Sequence, residues 1–246
     1  MIKTIPALLA SAALALTPIV ASAQSELDWT YADGSSAERW ADANTDYAPC
    51  GKGAMQSPID LSDANAFGDI EIAASYGMGE GTLKLGTHKV QVDAPAGMGM
   101  ISGDMLFNFI QVHFHTPSEH EVNGQRYPLA AHFVHATGDG VLGVLGMKFQ
   151  EGEPNPALQA IIDAMASGSG SKLTLDFSDM VPDDLEVYRY QGSLTTPPCS
   201  ENVNWHVVDE VLEASSDQIA AFEQALGFSA RSLQPRNNRL VVAPGD

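Results

Sequence analysis

Phe107-Asn-Phe-Ile-Gln-Val-His113-Phe-His115-Thr-Pro-Ser-Glu119-His120 begins as an alternating strand and stops at a Pro-Ser corner. Residues i and i+2 of a strand project to one face, so His113 and His115 point the same way. Two same-face imidazoles are a natural start for a metal site, because neutral imidazole suits zinc. The nearest third donor lies in Ala131-His132-Phe-Val-His135. His132 and His135 are three apart, face opposite sides of a strand, and only one of them can join the site. Three histidines with an open fourth position is the arrangement of catalytic zinc. A closed structural site would want a fourth protein ligand, and no cysteine is placed locally to supply it.

The chain on either side reads mostly as strands. Thr82 to Leu85 and His88 to Val92 alternate with period two, and Ile101 to His115 reads as a hairpin or two short strands. Tyr127 to Thr137 and Val141 to Gln150 are two more strands, separated by the turn Gly138-Asp-Gly140. Helical pattern is scarce. Asn155 with Pro156 opens a helix through Met165, and Ser216 to Leu226 forms a second, stopped by Gly227. The aromatics Trp29, Tyr31 and Trp40 sit in an otherwise polar arm and are expected to dock on the body. Most strand-to-strand gaps are too short for crossovers, so extensive antiparallel pairing is expected. The fold class is mainly β (α+β) in a single domain.

Residues 1–23 read as a cleaved signal peptide: Lys3, an apolar run from Ile5 to Val20, and Ala21-Ser-Ala23 before an expected cut at Gln24. The run is short and broken by Thr17-Pro18, which argues against a membrane anchor, and no later segment approaches a span. The mature domain is then 24–246, exported to the periplasm or secreted. A formal charge of −19 disfavours nucleic acid and anionic membranes as partners and otherwise reads as a solubilising surface. An even cysteine count, Cys50 and Cys199, in an oxidising compartment favours a disulfide over two free thiols.

Taken together, Gln-Val-His113-Phe-His115, Pro-Ser-Glu119-His120 and Ala-His132-Phe-Val-His135 closely resemble the α-carbonic anhydrase family. So do Gln56-Ser57-Pro58-Ile59 and Gly192-Ser-Leu194-Thr195-Thr196-Pro197-Pro198. Trp29-Thr-Tyr31, Trp40, Val203-Asn-Trp205 and Asn238-Arg239 match further landmarks, in order, from Trp29 to Val242. The resemblance implies a large, twisted, mostly antiparallel sheet of about ten strands, with Zn2+ held by His113, His115 and His132 in a cleft. It implies reversible hydration of carbon dioxide to bicarbonate and a proton by a zinc-bound hydroxide, with a possible esterase side activity. Thr195 would accept a hydrogen bond from that hydroxide and donate to Glu119. Val134, Val144, Leu194, Val203 and Trp205 would form the apolar wall for carbon dioxide, with Thr196 beside bicarbonate and Gln111 and Gln91 lining the cleft. His88 stands at the place of the proton shuttle. His120 and His135 are expected to be structural hydrogen-bonders and His206 to lie on the surface. The Cys50–Cys199 bridge also fits exported members, and the chain is expected to be a monomer or a homodimer.

Two positions depart from the pattern. Ala130 stands where a Glu usually accepts the ring N–H of the third histidine, a loss that commonly weakens metal affinity or activity by about 10–100-fold. Thr116 replaces a frequent Trp and is expected to loosen packing behind the ligand strand.

Overall fold

The computed structural model describes residues 29–31 and 39–245. The expected signal peptide lies outside the described residues. Twelve strands form one sheet: β1 (Ala66–Phe67), β2 (Ile72–Ser75), β3 (Met78–Gly86), β4 (Lys89–Asp93), β5 (Gly99–Ser102), β6 (Met105–His115), β7 (Leu129–Ala136), β8 (Leu142–Glu151), β9 (Lys172–Asp176), β10 (Val187–Ser193), β11 (Glu201–Ala214) and β12 (Val241–Ala243). Their order is β1-β12-β10-β11-β8-β7-β6-β4-β3-β9, with β5 also on β6 and β2 on β5. Among the described residues only β1–β12 and β11–β8 run parallel. The family resemblance implied about ten strands; of the twelve, β1 and β12 are only two and three residues long.

Strand β6 sets the geometry of the site. Its buried apolar positions are Phe107 and Phe109, then Val112 and Phe114. The phase changes because the ladder with β7 shifts between Phe109 and Gln111, leaving Ile110 as an extra residue. This bulge re-aims the second half of the strand. Before it, odd-numbered side chains enter the main core. After it, Gln111, His113 and His115 turn to the opposite face, while Val112 and Phe114 take over the core positions.

That core is closed by two helices, α3 (Pro156–Met165) and α4 (Ser216–Leu226), through Leu158, Ile161, Ile219 and Phe222. Both start as the sequence predicts. The Asn155 side chain accepts the N–H of Leu158, and Ser215 with Gln218 forms a capping box. On the other face Ile59, Leu61, Val144, Tyr190, Val203, Trp205 and Val207 form a second cluster.

A third cluster joins Tyr31 and Trp40 to Cys50 and Cys199, with Trp29 packed against it. The three rings meet edge to face with centroids 5.2–5.5 Å apart, so the arm docks as expected. Two short helices, α1 (Trp40–Ala43) and α2 (Ala48–Lys52), carry this arm to Cys50, which is bonded to Cys199 across 149 positions. Closing so long a loop constrains the unfolded chain most. Replacing both cysteines by alanine is expected to lower the unfolding free energy by up to about 5 kcal/mol, read as a fall in the urea midpoint.

Candidate metal centre

β6 and β7 pair with His113 directly opposite His132, and His115 lies one pleat further along. One nitrogen from each of His113, His115 and His132 falls within 4.8 Å of the others. The local hydrogen bonds say which nitrogens these are. His113 Nδ1 donates to Gln111 Oε1 at 3.0 Å and His115 Nδ1 donates to the Ser229 carbonyl at 2.6 Å. Each ring therefore keeps an Nε2 lone pair for the site. His115 Nε2 is buried with no hydrogen-bond partner among the described residues. It lies 3.5 Å from Glu119 Oε2, and His132 Nδ1 lies 3.8 Å from the same oxygen. Burial, reinforced by the neighbouring imidazoles, holds His113 and His132 well below the usual histidine range. Three converging imidazoles, one with a buried and unpartnered Nε2, are the donor set zinc takes.

Glu119 is fully buried at the corner after β6. Its Oε1 accepts the backbone N–H of Arg231 at 2.9 Å, while Oε2 has no hydrogen-bond partner among the described residues. Arg231 is the residue that sequence reasoning missed. Its guanidinium is buried, donating to Gln56 Oε1 at 2.9 Å and to the carbonyls of Ser57 at 2.8 Å and Cys50 at 2.9 Å. It also lies 5.5 Å from the centre of the Trp40 ring. Gln56 in turn donates to the Cys199 carbonyl at 3.1 Å. The disulfide, Gln56 and Arg231 thus form one frame behind Glu119. Burial pulls the Arg231 guanidinium down to about 10, opposed by the charge of Glu119.

Thr195 is buried in the loop after β10, whose turn is closed by Leu194 N–H on the Ser200 carbonyl and Cys199 N–H on the Thr196 carbonyl. No hydrogen bond joins Thr195 to Glu119 in this structure. Gly192 at the end of β10 leaves no room for a side chain, since a Cβ there would collide with Ser57 Oγ. Val144, Val203 and Trp205 are buried in one apolar cluster, with half-buried Val134 and Leu194 packed against it. Val134 and Trp205 each lie beside Val144 in the sheet register. Thr196 and Gln111 are half-buried.

His88 occupies the turn between β3 and β4 with a left-handed φ of 53°. It is half-buried, donates Nδ1–H to the Leu226 carbonyl at 2.8 Å, and meets the Tyr31 ring edge-on. Gln91 donates to Asp93 at 2.6 Å. His120 pairs with the Tyr190 hydroxyl at 2.7 Å and His135 with the Tyr76 hydroxyl at 2.8 Å, both structural as expected. His206 corrects the sequence reading. It is fully buried and pairs with Ser102 Oγ at 2.9 Å, because its face of β11 turns into the sheet rather than to solvent. Thr116 also differs from expectation. It is buried, and it holds the 227–229 segment through Ser229 Oγ at 3.0 Å and the Gly227 carbonyl at 2.6 Å. The Ser229 carbonyl that orients His115 belongs to that segment.

The sequence profile described as eukaryotic-type carbonic anhydrase matches residues 35–244. The chain belongs to that family. It is 34% identical over 228 residues to a carbonic anhydrase of Pectobacterium carotovorum, covering 90% of this chain and 93% of that one. It is 36% identical over 226 residues to a carbonic anhydrase of Nostoc sp., covering 88% and 86%. The solved Photobacterium profundum alpha-carbonic anhydrase superposes with a TM-score of 0.75 at 35% identity, over 87% of this chain and 99% of that one. Carbonic anhydrase activity goes with the family, and the three histidines are a group that can hold its metal.

Buried neutral histidines away from the metal set a pH dependence. Burial holds His135 at about 4 and His206 at about 3, against roughly 6.5 in the unfolded chain. Below 6.5 the unfolded state takes up protons that the native state refuses, so stability falls as pH drops toward 4. Each residue contributes up to about 1.4 kcal/mol per pH unit in that window. His135→Gln is expected to remove about that much slope between pH 6 and 4.5, measured by urea unfolding of the metal-free protein.

Proposed function

We propose that the chain hydrates carbon dioxide reversibly to bicarbonate and a proton, with zinc held by His113, His115 and His132. The observation that carries this reading is the convergence of three imidazole nitrogens beside an apolar wall in a chain of this family. When bound, zinc supplies a Lewis acid that brings the ionisation of a water near neutrality. Gln111 and the Ser229 carbonyl hold His113 and His115 in the tautomer that points Nε2 inward.

Carbon dioxide is linear and weakly polar, and Val134, Val144, Leu194, Val203 and Trp205 offer it an apolar surface next to the histidines. Glu119 Oε2 is a buried acceptor without a partner. In our reading it accepts a hydrogen bond from the Thr195 hydroxyl, so that the Thr195 oxygen is left as an acceptor toward the attacking oxygen. The Thr195 backbone N–H and Thr196 then serve the anionic product. His88 carries protons between the site and buffer: its Nδ1–H is committed to Leu226, which leaves Nε2 to load and unload. Activated esters present a carbon that the same site can hydrolyse as a side reaction. The disulfide supports an exported protein, periplasmic or secreted.

Stopped-flow hydration of carbon dioxide by the zinc-loaded protein tests the reading, and zinc-loaded protein that fails to accelerate it would overturn it. Thr195→Ala is expected to lower kcat/KM by about 100-fold or more with zinc content unchanged. His88→Ala is expected to lower kcat in weak buffer by about 10-fold or more, with imidazole restoring it and kcat/KM unmoved. A kcat indifferent to buffer in both proteins would remove His88 from proton transfer.

A further inference from the structure

Ala130 lies two residues before His132 on the same face of β7, and its cross-strand partner on β8 is Lys148. Beside the short side chain is a cavity of about 10 Å³, bordered by Glu119, His120, Ala130, His132, Gly146 and Lys148. That is the room the centre of one water molecule needs. Besides Glu119 Oε2, which faces His115 and the Nδ1 of His132, three polar groups on this border lack a full set of protein partners among the described residues.

His132 turns its Nδ1 edge toward Glu119, while its Cδ2 lies 3.7 Å from where a Cβ on Gly146 would sit. Its Nε2 edge therefore faces β8, and no described protein group accepts from it. His120 uses Nε2 on the Tyr190 hydroxyl, and its Nδ1 has no partner among the described residues. Lys148, buried to 2% exposure, donates to the carbonyls of Val208 and Asp209, where the β8–β11 register shifts. An ammonium has three N–H groups, so one is left without a hydrogen-bond acceptor, the Tyr127 ring lying 6.0 Å from Nζ.

We propose that this cavity is a built site for one structural water that positions His132. The water accepts the Nε2–H of His132 and the third N–H of Lys148, and donates to Nδ1 of His120. All three donors and acceptors are then satisfied, within the two to four partners a buried water takes. His120 carries its own proton on Nε2 and donates it to Tyr190, whose hydroxyl lies 2.7 Å from Ser57 Oγ. The water takes the place of the carboxylate that the family resemblance leads one to expect at position 130, and Lys148 anchors it there. The inference deepens the zinc reading and rests on His132 ligating through Nδ1.

A high-resolution crystal structure of the zinc-loaded protein is expected to show one water within hydrogen-bond distance of His132 Nε2 and Lys148 Nζ. Ala130→Leu fills the cavity with apolar atoms and is expected to speed zinc release to a chelator by about 10–100-fold. Lys148→Met removes one anchor of the water without adding bulk, and is expected to speed release in the same direction should Ala130→Leu fold poorly. An empty cavity in the wild type, or wild-type release rates in both variants, would overturn the proposal. Its failure is separable from that of the catalytic reading: a visible water and faster release in the variants support it even if zinc-loaded protein does not hydrate carbon dioxide. Wild-type protein that binds no zinc overturns both.

Discussion

One extra residue, Ile110, determines which side of the sheet carries the chemistry. A strand has a side-chain period of two, so a slip of one residue moves an entire set from one face to the other. Without the bulge, His113 and His115 would continue the row of Phe107 and Phe109 into the main core, beneath α3 and α4. With it, Val112 and Phe114 fill the core and the imidazoles turn toward His132. β7 has no such shift, so His132 and Val134 face the site while Phe133 and His135 face the core. The apolar wall, the histidine cluster and the packing of the helices all depend on this one change of phase.

The second constraint is electrostatic. A carboxylate as deeply buried as Glu119 costs several kcal/mol unless its charge is answered. Arg231 answers it through its backbone N–H and its nearby guanidinium, and is itself held by Gln56 and by the carbonyls of Ser57 and Cys50. The disulfide ties the same frame to the loop that carries Thr195. Tyr31 completes it from the N-terminal arm, its hydroxyl pushed up by burial and by the charge of Glu119. The frame therefore fixes one oxygen of Glu119 and leaves the other facing the histidines.

Much of this was legible in the chain because it is local. The His-x-His spacing, the opposition of His132 and His135, the two capped helices and the hairpin turns each follow from a few neighbouring residues. The phase change was also written there, as Phe107 and Phe109 followed by Val112 and Phe114. What escaped depends on distant segments meeting. The parallel β8–β11 pairing joins strands separated by α3, β9 and β10. The buried setting of His206 follows from that pairing, and the role of Arg231 appears only when its loop reaches Glu119, Gln56 and Cys50. Ala130 was visible as a missing carboxylate, but only the register places Lys148 opposite it.

In the proposed centre three imidazoles, and no other protein side chain, form the metal's donor set. X-ray absorption at the zinc edge of the loaded protein tests this most directly. The expected spectrum shows three imidazole ligands with one further light-atom ligand from solvent, and loss of one imidazole in His132→Ala. A fourth imidazole, a bound carboxylate of Glu119, or a spectrum unchanged by His132→Ala would contradict it.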